Sequence, residues 1–168
     1  MIILLMGTTG AGKTTIGKLL AAKLGWAFVD ADDFHPPANI EKMKHGIPLT
    51  DADRWPWLEK IHSELLRLDQ AGKHVVLACS ALKESYRKQL SAGLDLRLVY
   101  LRGSYEVMRS HIEGRHGHFA GESILAGQFA DLEEPHDALV VDVNATPEEI
   151  ADQVIHRLNL PLNGSSQN

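Results

Sequence analysis

The residues Gly7-Thr8-Thr9-Gly10-Ala11-Gly12-Lys13-Thr14 fit the spacing G-x-x-x-x-G-K-[ST]. Glycines so placed let backbone N–H groups converge on phosphate oxygens. A helix opening at Lys13 adds its positive N-terminal end. The lysine suits the β- and γ-phosphates, and the Thr14 hydroxyl suits Mg²⁺. The plain alternative is a glycine-rich turn that merely contains a lysine. An apolar run, Ile2 to Met6, precedes this turn and a helical pattern follows it. That context identifies a phosphate cradle.

A second acidic cluster, Asp30-Ala31-Asp32-Asp33, ends the next apolar segment. Two carboxylates spaced by two share a face on an extended strand end. One suits Mg²⁺ held through water; the other suits the proton of a substrate hydroxyl. A solvated acidic turn is the alternative, and the phosphate cradle outweighs it. Leu139-Val140-Val141-Asp142 also ends an apolar run in an aspartate, but so late in the chain that it is expected far from the cradle. Asp69-Gln70-Ala71-Gly72 imitates a GTPase D-x-x-G, yet its periodicity makes it a helix end with a glycine stop. No N-K-x-D follows, which argues against a GTP switch.

The segment Gly114 to Gly121 carries Arg115, His116 and His118, with His111 nearby. It reads as a lid bringing a cation over a transferring phosphate. Zinc is disfavoured, because no second cysteine or obvious carboxylate partner accompanies the histidines. Trp26 and Trp55 read as core or interface, and Trp57 as a border of the substrate site. Cys79, inside an apolar strand, reads as inert packing.

These groups need a scaffold. Strands are expected at 2–6, 27–30, 75–79, 96–101 and 138–141. Helices are expected at 13–24, 39–45, from Asp53 as N-cap with Pro56 in the first turn, at 83–90, 104–113 and 122–132, and after the capping box Thr146-Pro147-Glu149. Strand and helix alternate throughout. The pattern predicts an α/β domain with a parallel sheet and helices on both faces. Ligands then bind beyond the carboxyl ends of the strands, where the cradle, Asp30–His35 and Ser80–Lys83 all fall.

Composition agrees. The chain has 168 residues, one domain's worth, and its 44% hydrophobic content suffices for a core without a metal or disulfide staple. Its net charge of −5 argues against nucleic acid or anionic membranes as partners. The lone cysteine rules out an intrachain disulfide and suits a reducing cytoplasm. MIILLM is too short for a signal-peptide core, and no run reaches the length of a membrane span. A single domain over 1–160 is expected, with a lid at about 112–122 and a flexible tail at 161–168.

The chain resembles the gluconate kinases, P-loop sugar-acid kinases related to shikimate kinases and nucleoside monophosphate kinases. The resemblance spans about residues 2–158. It rests on the P-loop, DADDFHPPANIEKMKHGIPLTDADRWPWL at 30–58, ACSALKESYR at 78–87, GHF at 117–119 and QFADLEEP at 128–135. It implies a three-layer P-loop NTPase fold, with a five-stranded parallel sheet in the order 2-3-1-4-5. It implies ATP-dependent phosphorylation of D-gluconate at the 6-hydroxyl, in sugar-acid catabolism feeding the pentose phosphate pathway, and a homodimer.

By position, Gly7, Thr8, Thr9, Gly10, Ala11, Gly12, Lys13, Thr14 and Thr15 would bind ATP. Thr14 and Asp30 would hold Mg²⁺. Lys13, Asp32 and Arg115 would be catalytic. Asp32, His35, Asn39, Lys42, Arg54, Lys83, Arg87, His118 and Gln128 would surround the acceptor. One departure is His111, where the family pattern carries a lid arginine; a neutral imidazole does not replace a guanidinium fork. The alternatives are a kinase for another small anion, such as shikimate or a nucleoside monophosphate, and a non-catalytic ATP-binding regulatory module.

Overall fold

The computed structural model describes residues 1–114 and 120–163. The expected lid residues 115–119, with Arg115 and His118, and the end of the tail lie outside them.

The continuous apolar run Ile2–Met6 forms β1, buried on both faces as the centre of a parallel sheet requires. Its neighbours are β3 (Val75–Ala78) and β4 (Leu96–Arg102), flanked in turn by β2 (Ala27–Asp30) and β5 (Leu139–Asp142). The order is β2-β3-β1-β4-β5, with every pairing parallel. Side-chain alternation along β1 creates three layers. Ile3 and Leu5 meet α1 (Lys13–Leu24) and α7 (Pro147–Arg157) through Ile16, Leu20, Ile150 and Val154. Ile2, Leu4 and Met6 face the opposite way, toward α3 (Asp51–Gln70) and α4 (Glu84–Ser91) through Leu58, Ile61, Leu65 and Leu90. Each fully buried Leu or Ile contributes on the order of 1.5–3 kcal/mol.

α3 starts earlier than the sequence suggests. Thr50, not Asp53, is its N-cap: the Thr50 hydroxyl accepts from the Asp53 N–H, and the Asp53 carboxylate accepts from the Thr50 N–H. Asp53 is therefore the third helical residue of a capping box, and Pro56 lies inside the helix. α2 (Pro37–Lys44) also begins two residues early, with Pro37 supplying a preset φ at its start. α5 (Tyr105–Glu113) and α6 (Ala120–Asp131) flank the expected lid. The first part of the expected tail is anchored, since the Asn163 N–H donates to the Lys23 carbonyl. No helix among the described residues is long and apolar enough to cross a membrane.

Candidate active site

β1 ends at Met6 and α1 begins at Lys13, so the glycine loop must turn back within six residues. Gly7 and Gly10 make that turn at φ +152° and +84°. A Cβ at Gly7 would lie 2.8 Å from the Leu101 carbonyl oxygen, and one at Gly10 would lie 2.7 Å from that of Met108. Neither carbonyl is a flexible group, so larger residues are excluded by both space and conformation. Thr8 and Ala11 are buried scaffolding of the loop. Thr9, Gly10, Gly12, Lys13, Thr14 and Thr15 line a cavity of about 220 Å³. Asp30 and Asp32 enter it from the end of β2, Cys79 and Ser80 from the end of β3, and Gln128 from α6.

The Lys13 ammonium donates to the Thr8 carbonyl at 2.9 Å. Burial lowers its pKa, against the raising pull of Asp32 and then Asp30. The Thr14 hydroxyl donates to Asp30 Oδ2 at 2.8 Å, while Asp30 Oδ1 accepts the Asp32 N–H at 3.0 Å. The chain has already entered a 3-10 turn at Ala31–Phe34. Asp30 and Asp32 therefore do not share a strand face: Asp30 caps the turn and Asp32 projects beyond it. The Asp32 pKa is raised, first by desolvation and then by Asp30, while Lys13 and His35 pull it down. Its side chain is 85% exposed, so the cleft walls act weakly until an acceptor fills the cleft.

The other residues expected around the acceptor form a second tier. His35 Nε2 lies 4.0 Å from Asp32 Oδ1, and its ring stacks on Trp57 at 4.4 Å between centroids. Trp57 is fixed by its indole N–H, which donates to the Ala31 carbonyl at 2.7 Å. Buried Asn39 donates to His35 Nδ1 at 3.3 Å and to the Asp53 carbonyl at 3.0 Å. Both amide protons are thereby used, and His35 is left as the Nε2–H tautomer facing Asp32. Lys42 is paired with Asp53, whose pKa it and the Thr50 N–H hold down to about 2. Arg54 donates to the Tyr86 hydroxyl, and Lys83 pairs with Asp51.

Arg87 stands apart from the cavity. Its Nη1 donates to the Ala81 and Leu82 carbonyls at 2.9 Å each, holding a turn in which Ala81 adopts φ +45°. Cys79 is buried, with its thiol pKa pushed up to about 12 by burial, yet it lines the cavity. Tyr86 and Asp51 were not singled out in the sequence. They join through side chains 35 positions apart, a contact no local spacing announces. Asp142 lies on edge strand β5, two strands from β1, away from the cradle. Among the described residues, no three His, Cys, Asp or Glu are grouped to hold a metal. Gln128 Oε1 accepts the Thr9 N–H, and His111 Nδ1 lies 2.8 Å from the Gly10 carbonyl oxygen. α5 and α6 are thus both fastened to the cradle, at adjacent residues.

Thr8 is 2% exposed, and among the described residues its hydroxyl has no hydrogen-bond partner. Valine keeps the shape and removes the hydroxyl. Thr8→Val is expected to stabilise the fold by about 1 kcal/mol, because the orphaned group no longer has to be desolvated. For a domain of this size that is a rise of roughly 2–4 °C in Tm. Calorimetry checks it; a fall in Tm would show that the hydroxyl is bonded after all.

A phosphate cradle facing paired aspartates, over the carboxyl edge of a parallel 2-3-1-4-5 sheet, defines a P-loop kinase. Residues 9–159 match the shikimate kinase family. A gluconokinase of Gluconobacter oxydans (strain 621H) is 44% identical over 157 residues, covering 93% of this chain and 88% of that protein. A probable gluconokinase of Xenopus tropicalis is 45% identical over 151 residues, 80% of each chain. The crystal structure of a gluconokinase from Sinorhizobium meliloti 1021 superposes with a TM-score of 0.84 at 40% identity, covering 94% of this chain and 90% of that one. The chain belongs to the shikimate kinase family and, within it, to the gluconokinases.

Proposed function

We propose that this protein transfers the γ-phosphoryl group of ATP to the 6-hydroxyl of D-gluconate, giving 6-phosphogluconate. One observation carries the reading: Lys13 of the phosphate cradle and the carboxylates of Asp30 and Asp32 line one cavity, with the Thr14 hydroxyl bonded to Asp30. Its 220 Å³ is below the roughly 300–1,000 Å³ of whole-ligand sites, as befits the phosphoryl-transfer end of a longer cleft.

Hard oxygen donors from Thr14 and Asp30 fit Mg²⁺, which accepts one or two protein oxygens alongside waters and phosphates. When bound, the ion supplies charge neutralisation at the phosphates. Lys13 neutralises transferring oxygens, Asp32 orients the attacking hydroxyl and accepts its proton, and Arg54 meets the acceptor's carboxylate. Arg115 is assigned to the lid, over the phosphates. His35, Asn39, Lys42, Lys83, His118 and Gln128 remain assigned to the acceptor side, several of them through other residues, whereas Arg87 is spent on the turn at Ala81. A cytoplasmic setting, which the lone cysteine suits, and a homodimer, which the family resemblance implies, complete the reading.

The test is ADP release measured over a panel of acceptors. A site built around a cation leaves that cation unpaired with an uncharged sugar, which discriminates strongly. Gluconate is expected to exceed glucose, shikimate and AMP in kcat/KM by at least about 100-fold. Equal activity on any of the three overturns the acceptor assignment. ATP binding without ADP release on any acceptor would instead favour a regulatory module.

A further inference from the structure

We propose that Tyr86 is a positioning residue for acceptor recognition: its hydroxyl sets Arg54 in the orientation that receives the acceptor's carboxylate. The inference rests on the gluconate reading above. Tyr86 projects from α4 and is 3% exposed. Its hydroxyl has one proton and can also accept. Arg54 only donates, and its Nη1 reaches the hydroxyl oxygen at 2.9 Å. The tyrosine proton must therefore go elsewhere, and the Asp51 carboxylate takes it. The same carboxylate binds the Lys83 ammonium at 3.1 and 3.3 Å.

The ring adds a second hold. The Arg54 guanidinium carbon lies 5.6 Å from the ring centroid and the Lys83 ammonium 5.7 Å from it, within cation–π range. Trp55 packs edge-on against the ring at 5.6 Å. One buried aromatic residue thus contacts two cations, Arg54 of α3 and Lys83 at the N-cap of α4, and bonds the aspartate that Lys83 also binds. Desolvation, and then the hydrogen bond to Asp51, raise the tyrosine pKa, so the phenol stays protonated.

The consequence falls on Arg54. Nη1 is engaged by Tyr86 and, more weakly at 3.4 Å, by Asp131 from α6. Among the described residues, neither Nε nor Nη2 of Arg54 makes a hydrogen bond. Those two groups form the side-on fork that matches a carboxylate with two parallel bonds. Arg54 lies on the acceptor side of the cleft: it follows Asp53, whose carbonyl holds the Asn39 amide that also meets His35, the neighbour of Asp32. A long arginine loses rotamer freedom when it grips an anion. Tyr86 restricts it beforehand, so less is lost on binding.

Tyr86→Phe keeps the ring and its packing but removes the hydroxyl. The KM for gluconate is expected to rise about tenfold, with kcat and the KM for ATP within about twofold of wild type. Preference for gluconate over the uncharged hexitol of the same chain length should fall by the same factor, which a merely structural role would not produce. Combined with Arg54→Ala, the change should add nothing to the gluconate KM of Arg54→Ala alone, because Tyr86 acts through that residue.

A gluconate KM unchanged in Tyr86→Phe, an equal loss on both acceptors, or losses that multiply in the double variant would each overturn the inference. If Arg54→Ala is impaired but Tyr86→Phe is not, only the role of Tyr86 falls. If Arg54→Ala leaves the gluconate KM unchanged, the acceptor reading falls and takes this inference with it. Should Tyr86→Phe fail to fold, Asp51→Ala, which removes the acceptor of the tyrosine proton, approaches the network from its exposed end. That variant is expected to raise the gluconate KM at unchanged kcat, and an unchanged KM overturns the inference.

Discussion

Lys13→Ala is expected to reduce turnover by on the order of 10²-fold or more while leaving the fold intact. Lys13 opens α1 beside the cradle, but its side chain belongs to neither core cluster. Its ammonium rests on the Thr8 carbonyl, a single hydrogen bond that phosphate oxygens would replace. Burial lowers its pKa, so holding the charge there without a phosphate is costly. Truncation therefore removes a strained charge from the free protein and a stabilising one from the phosphoryl-transfer state. The Tm of the free variant should match or exceed that of wild type, and the rise in Tm on adding ATP should shrink.

A pH effect follows with a definite sign. The lysine acts when protonated, and its pKa in the free protein is lowered. kcat/KM for ATP, which reports the free enzyme, should therefore decline on the alkaline side at a lower pH than an ordinary lysine would give. Wild-type turnover in a well-folded Lys13→Ala variant would remove the cradle from the mechanism.

The sheet was legible in the sequence because β1 and β3 are short, continuous apolar runs and the other strands are short, largely apolar segments set between helical patterns. Those runs, alternating with helices, fix the architecture within the handedness rules of parallel sheets. Helix starts were less legible. At α3, Thr50 and Asp53 bond each other reciprocally, and aspartate in the third position replaces the usual glutamate or glutamine, so Asp53 looked like the cap itself. The cradle and its aspartates were legible because their chemistry lies in local spacing.

The tier expected around the acceptor was only half legible. Arg54 and Lys83 look alike in a sequence as free cations, yet they meet at Tyr86 and Asp51, which come from different helices. Arg87 looked like a third free cation. Its guanidinium instead supports the turn at Ala81, whose positive φ no motif reveals.

Asp32→Asn is expected to lower kcat at saturating gluconate by about 10²-fold, the lower part of the range for general-base catalysis. The division of labour between the two aspartates leads to that value. Asp30 spends both carboxylate oxygens inside the protein, one on the Thr14 hydroxyl and one on the Asp32 N–H. It is set toward the cradle and leaves the hydroxyl to Asp32. Asp32 has no such backbone anchor, faces the open cleft, and lies close enough to Lys13 for each to shift the other's pKa. Asparagine keeps the size and can still accept one hydrogen bond, so a gluconate hydroxyl should still dock. It loses the charge and the ability to take the proton. In a loose phosphoryl-transfer transition state the nucleophile is deprotonated late, which limits the loss. ATP affinity should stay within about twofold, because the nucleotide contacts lie in the cradle. The decisive measurement pairs kcat at saturating gluconate with ATP affinity in the same preparation. A loss confined to ATP affinity would move Asp32 to the metal side with Asp30. No loss in either would pass the role to Asp33, the next exposed carboxylate on the same turn.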